Sequence, residues 1–245
     1  MVLSTLLRNI DRWGVSHLLT KEQHMPRSGR FAPGGLVFHV LNRANAGVRC
    51  FQTDGDYRAF EQVLAESVAR VRLELFAYVL MPNHWHLVLR PRRDGDLAQF
   101  MHRMTITHVR RWHGQRETAG LGHLYQGTYK SFAIQEDDHF LIVCRYVERN
   151  PLRAGLVARA QEWPWGSLWV RSQTTSTSLL SAWPVEPQAD WESSVNTPQT
   201  DSELARLRKS VVSGHPFGAE AWRQETARRL SIPMAGPRGS PGKCT

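Results

Sequence analysis

Cysteine is scarce in this sequence, and its placement is uninformative. Cys50, Cys144 and Cys244 are three in number, far apart and in no Cys-x-x-Cys pair, which argues against a disulfide framework and against a thiolate zinc site. Long hydrophobic runs are missing too. No stretch reaches the roughly 18 uninterrupted apolar residues of a membrane span, and Arg8, Asp11 and Arg12 break the apolar part of the N-terminus, so neither a membrane protein nor a secretory leader is expected. No His-x-x-x-His pair encloses a Glu, which removes the helical zinc-protease motif. Acidic charge is in deficit, with 22 Asp and Glu against 31 Lys and Arg for a net charge of +9. Such a balance favours a polyanionic partner, most simply nucleic acid, and a cytoplasmic, nucleoid-associated protein.

What is present suffices for a folded domain: 245 residues, 41% of them hydrophobic, with nine tryptophans to build a core. Four regions separate by composition. Residues 1–33 read as an N-terminal tail ending in "MPRSGRFAPGG", with Met25 a second candidate start. Residues 34–171 carry continuous periodicity and form the main domain. Residues 172–199 hold no Lys or Arg, are rich in Ser, Thr and Pro, and read as a linker. Residues 200–245 are expected to be a helical extension, patterned to 232, with a flexible basic tail.

Within the main domain, residues 35–43, 72–81, 84–90 and 129–135 have strand character, the middle two joined as a hairpin by "PN". Residues 56–71, 96–112 and 136–150 have helical spacing, and Pro151 is expected to stop the last. The order β-α-β-β-α-β-α predicts an α+β domain, an antiparallel β-sheet with helices packed on it, ferredoxin-like or RRM-like.

One strand departs from this apolar pattern. In "YVLMPNHWHLVLRP", His84 and His86 flank Trp85. Side chains at i and i+2 share a face, so the two imidazoles project together while Trp85, Leu87 and Leu89 take the other side. The pair alone is compatible with two structural histidines or with half of a metal site. A third ligand is needed for the latter. In "CRYVERNP", Tyr146 and Asn150 are four apart and share a helical face. An amide oxygen suits Mg²⁺ or Mn²⁺, and a phenol beside such an ion can attack a phosphodiester, storing the broken bond as a phosphotyrosine.

The segments "AYVLMPNHWHLVLRP", "GHLYQGTYKS" and "CRYVERNPLRAGLV", in that order, resemble the tyrosine transposases of the IS200/IS605 type, within the HUH endonucleases, and more narrowly the REP-associated tyrosine transposases. The resemblance covers about residues 34–171. It implies that His84 and His86 are metal ligands, Tyr146 the nucleophile and Asn150 the third metal contact. "SGHPFGAEAWRQETARRLSIP" also resembles a C-terminal extension of some relatives. Two positions depart. Ala44 in "NRANAG" stands where the resembling segment often reads Arg-Gly-Asn, which puts a backbone turn in question. Thr128 stands where relatives often carry a basic residue, which puts one phosphate contact in question.

Residues 90–159 hold twelve Lys or Arg against seven acids, interspersed with Trp112, Tyr125, Tyr129 and Phe132. Cations there can hold phosphates and aromatics can stack unpaired bases. Half of these charges read as a solvated helix face and most of the aromatics as core, so Arg92, Arg93 and Lys130 are the first candidates for DNA contacts. The expected protein is a metal-dependent single-strand DNA endonuclease and strand transferase acting on palindromic or hairpin DNA through a 5′-phosphotyrosine, as monomer or homodimer. Two alternatives remain at this point: a non-catalytic nucleic-acid-binding module on the same sheet, and a hydrolase that activates water.

Overall fold

The computed structural model describes residues 31–120, 122–173 and 179–233. Met25, most of the expected N-terminal tail, Cys244 and the basic C-terminal tail lie outside the described residues. Four strands, β1 (Val37–Arg43), β2 (Glu74–Met81), β3 (His84–Arg90) and β4 (Lys130–Ile134), make one antiparallel sheet in the order β2-β3-β1-β4. With α1 (Asp54–Val71), α2 (Asp96–Arg116) and α3 (Asp138–Glu148) between and after them, the chain runs β-α-β-β-α-β-α as the periodicity predicts. The two-residue Pro82–Asn83 turn sets the hairpin register, pairing Met81 with His84.

The pairing register decides which residues share a face. Trp85 lies opposite Asn42 and Leu80, and Leu87 opposite Val40 and Tyr78. That face packs on α1 and α2 through Phe60, Leu64, Leu97, Phe100 and Met104. Trp85 is fully buried there, its Nε1–H donating to Tyr125 Oη at 2.9 Å, and Tyr125 Oη lies 2.6 Å from His108 Nδ1. Tyr125 and Phe132, candidates for base stacking from sequence, are both core residues. The opposite face carries His39, His84, His86, Val79, Phe132 and Ile134, and α3 covers it with Phe140, Val143 and Tyr146.

Helix ends follow their local chemistry. Thr53 and Asp56 close a capping box on α1, and the Asp56 carboxylate also accepts from Arg116 at 2.8 Å, tying the start of α1 to the end of α2. Pro151 does not end the helical run as expected. It stands at the second position of α4 (Asn150–Arg153), where its missing N–H costs nothing because a first-turn amide has no helical acceptor. The break falls one residue earlier, between Glu148 and Asn150.

Both edges of the sheet are covered. Along β2, Leu80 N donates to Trp165 O and Ser181 N to Leu75 O, while Trp183 Nε1 and Arg171 Nη2 both reach Phe76 O. A short helix, α5 (Ser167–Ser172), and another, α6 (Trp191–Asn196), belong to this part of the chain. At β4, Phe217 exchanges backbone bonds with Ala133 and Gln135 between α7 (Asp201–Ser213) and α8 (Glu220–Arg229). Such cover removes the unpaired amide row that invites aggregation.

The entry to β1 is a close approach. A Cβ on Gly34 would fall 2.5 Å from the Arg92 carbonyl oxygen and 2.7 Å from Arg93 Cα, both backbone atoms. Gly34→Ala is therefore expected to cost about 1–3 kcal/mol, since the strand ends must separate. Urea unfolding measures it, and an unchanged midpoint would show that this contact yields freely.

Candidate active site

Three strand imidazoles and one helical phenol meet on the α3 face. His84 and His86 project from β3 with ring centroids 5.1 Å apart and planes at 83°. His39 projects from β1 and lies end to end with His86, Nε2 to Nδ1 at 2.9 Å. Tyr146, from the third turn of α3, presents its ring at 5.9 Å from His86 and 6.2 Å from His39, nearly perpendicular to both. All four are buried.

Burial sets the charge states. Removal from water holds His39 and His84 down to about 3, and His86 well below its ordinary value, so all three rings are neutral at pH 7. The cations Arg43 and Arg153 push His84 the same way. Neutral imidazole is the form that binds a metal. His84 donates Nδ1–H to Asn83 Oδ1 at 2.7 Å, which leaves Nε2 as the lone-pair nitrogen of the ring. Burial also raises the Tyr146 phenol, with the guanidinium groups of Arg153 and Arg208 acting in the opposite sense.

Arg153 is central to this arrangement. Its Cζ lies 4.3 Å from the Tyr146 ring centroid, and its Nη2 donates to Asn150 Oδ1. Asn150 Nδ2 in turn donates to the Tyr146 carbonyl at 3.3 Å, the spacing of one helical turn carried across the break between α3 and α4. Asn150 is thus beside Tyr146 as its spacing predicts, with its amide oxygen engaged by a guanidinium.

The residue types fit a hard divalent cation that takes part of its shell from elsewhere. Among the described residues no group of three or more His, Cys, Asp and Glu side chains is arranged to hold a metal. Two neutral imidazoles and an amide oxygen supply no negative charge. Waters or an anionic substrate would have to complete the shell, which is the habit of Mg²⁺ at phosphates.

The three candidate DNA contacts separate in space. Lys130 pairs with Leu41, which pairs with His86, so the exposed lysine shares a rung and a face with the imidazoles. Arg92 and Arg93 are exposed beyond the far end of β3, about 20 Å from His86 at strand rise. Ala44 has φ −66° and ψ 149°, a conformation open to any residue, so alanine there leaves the turn unstrained. Thr128 is exposed.

Sequence reasoning passed over His39, Arg43, Asn83, Arg153 and Arg208. Strand alternation alone places His39 and Arg43 together, four apart on β1. Arg153 follows Asn150 by three residues, a helical neighbour hidden by the assumption that Pro151 ends the helix.

Fold and site together define a class: a layered α+β domain that sets paired strand imidazoles against a buried helical tyrosine. Residues 34–150, which hold the sheet and every one of these groups except the two late arginines, match the family of IS200-like transposases. Among solved structures the chain is similar to a REP-associated tyrosine transposase bound to a REP hairpin, at 17% identity and TM-score 0.48 over 66% of this chain and 98% of that one. It is also similar to a putative transposase from Deinococcus radiodurans R1, at 20% identity and TM-score 0.35 over 46% of this chain and 88% of that one. No curated protein sequence matches the chain. Among the described residues no helix is long and apolar enough to cross a membrane.

Proposed function

We propose that this transposase domain nicks single-stranded DNA and transfers the strand through a covalent phosphotyrosine at Tyr146. The observation that carries this reading is the position of the Tyr146 ring, within 6 Å of a neutral His86 and flanked by arginines. His84 and His86, with Asn150, would hold Mg²⁺ or Mn²⁺. When bound, such an ion polarises a phosphoryl oxygen and stabilises the charge that develops on it.

The chain's own groups do the rest. Tyr146 Oη bonds to phosphorus, the bond from phosphorus to the 3′ oxygen breaks, and the phenolic proton is lost as the departing 3′ oxygen gains one. A 5′-phosphotyrosine and a 3′-hydroxyl result, and attack by a second 3′-hydroxyl reverses the step on a new strand. Arg153 covers the phenol ring, so an incoming phosphate has to draw that guanidinium aside. The exchange replaces a cation–π contact with a charge-assisted hydrogen bond, the stronger interaction. Lys130, exposed on the rung of His86, would hold a neighbouring phosphate. Arg92 and Arg93 would meet DNA further along the same strand.

Palindromic or hairpin DNA is the substrate class we assign, on the resemblance of "PNHWH", "GHLYQGTYKS" and "RYVERNP" to REP-associated tyrosine transposases. The test incubates the full chain with single-stranded palindromic DNA and Mn²⁺ and resolves the products on a denaturing gel. A protein–DNA adduct is expected, abolished by EDTA. Binding without an adduct or a nick would favour the non-catalytic module, and nicking without an adduct would favour water as the attacking group.

A further inference from the structure

His39 has no role in the strand-transfer reading above, yet it is buried at the centre of the site. Its Nε2 lies 2.9 Å from His86 Nδ1. The two ring planes differ by only 2° while their centroids are 5.0 Å apart. Coplanar rings at that separation, joined nitrogen to nitrogen, lie end to end in one plane. That is the geometry of an in-plane imidazole–imidazole hydrogen bond, and a face-to-face stack would bring the centroids closer.

Two neutral imidazoles sharing one N···N bond have only two arrangements, because each ring owns one N–H and one lone pair. In one, His39 donates from Nε2 and His86 carries its own proton on Nε2, so that His86 has no lone pair for a cation. In the other, His86 donates Nδ1–H to His39 Nε2 and presents Nε2 as a lone pair. His84 reaches the same state through Asn83, whose Oδ1 accepts its Nδ1–H at 2.7 Å. The two strand imidazoles are then held alike, one by an amide oxygen in the hairpin turn and one by an imidazole on the neighbouring strand. Phe132, edge-on to His39 at 5.0 Å, fixes the ring from its other side.

We propose that His39 is a positioning residue that accepts the Nδ1 proton of His86 and so fixes His86 as a cation ligand through Nε2. The proposal rests on the cation reading of His84 and His86. Partners of this kind hold a ligand's tautomer and orientation, and their loss typically weakens metal binding about 10–100-fold.

The test uses the full chain and Mn²⁺ alone, with affinity measured by EPR titration of free Mn²⁺. His39→Phe keeps a planar ring but offers no acceptor, and is expected to weaken Mn²⁺ binding by about 10–100-fold. His39→Gln can place an amide oxygen near the Nε2 position, and is expected to stay close to wild type. Independently of any variant, long-range ¹⁵N–¹H NMR of the Mg²⁺-loaded protein should show the His86 proton on Nδ1. Equal Mn²⁺ affinity in wild type and a folded His39→Phe, or a His86 proton on Nε2 with Mg²⁺ bound, overturns the role of His39 alone. A wild-type protein that binds no Mn²⁺ overturns the cation reading, and the role of His39 with it.

Discussion

Tyr146→Phe is expected to form no covalent adduct with single-stranded DNA, a loss on the order of 10⁴-fold or more, as when a nucleophile is removed outright. The fold should not suffer. Phenylalanine keeps the ring that meets His39 and His86 edge-on and lies under the Arg153 guanidinium. The hydroxyl that is lost is buried beside the Arg153 guanidinium, which is its side-chain hydrogen-bond partner. Removing it should cost about 1–2 kcal/mol or less, the net worth of one such hydrogen bond, and leave the chain folded. Gel detection of the adduct and urea unfolding of the same preparation separate chemistry from folding. An adduct that persists in the variant would move the nucleophile to another hydroxyl.

Acidification between pH 6.5 and about 3 should unfold the protein steeply, and the reason is the number of buried neutral imidazoles. Burial depresses His39, His84 and His108 to about 3, and His86 well below its ordinary value of 6.5. In the unfolded chain each takes up a proton once pH falls below about 6.5, while the folded chain does not. The unfolded state therefore binds more protons, and stability present above that pH is lost as pH falls towards the folded values. Each imidazole contributes up to about 1.4 kcal/mol per pH unit in this window, and four together about 5. Against a total stability of about 5–15 kcal/mol, the midpoint should fall near pH 5. Glu61 and Glu148, whose carboxyls are raised by burial, act in the opposite sense, two groups against four imidazoles. Circular dichroism against pH measures the transition, and His108→Gln should make it shallower. A chain still folded at pH 4 with an unchanged urea midpoint would contradict the neutral, buried state of these rings.

The legible parts of the site were those governed by a single periodicity. Strand alternation placed His84 and His86 on one face and Trp85 on the other, and pairing opposite Asn42 and Leu80 realises that split. Helical spacing placed Asn150 one turn from Tyr146. What stayed hidden depends on contacts between elements. His39 is one histidine in an apolar strand, and only the register of β1 on β3 brings it against His86. Arg92 and Arg93 follow His86 closely in sequence, but an extended strand carries them to the far end of the sheet. Arg153 was obscured by Pro151, which breaks a helix when internal yet suits the first turn of the next. The edge cover from Ser181, Trp183 and Phe217 comes from segments with little periodicity, so composition alone could not assign it.

The arginines flanking Tyr146 on its helix have a mechanical consequence. Arg145 Nη2 donates to the carbonyls of Thr197 and Pro198, and Arg149 Nη1 to those of Val195 and Asn196. Both side chains thus leave α3 to grip one short run of backbone that includes the end of α6. The end of α3 that carries the phenol is moored to a stretch whose composition reads as a spacer, while the imidazoles are anchored in the two central strands. Changing the length of that stretch would shift the Tyr146 phenol relative to the strand imidazoles. The distance between phenol and imidazoles is thus set from outside the sheet, by residues that touch neither group.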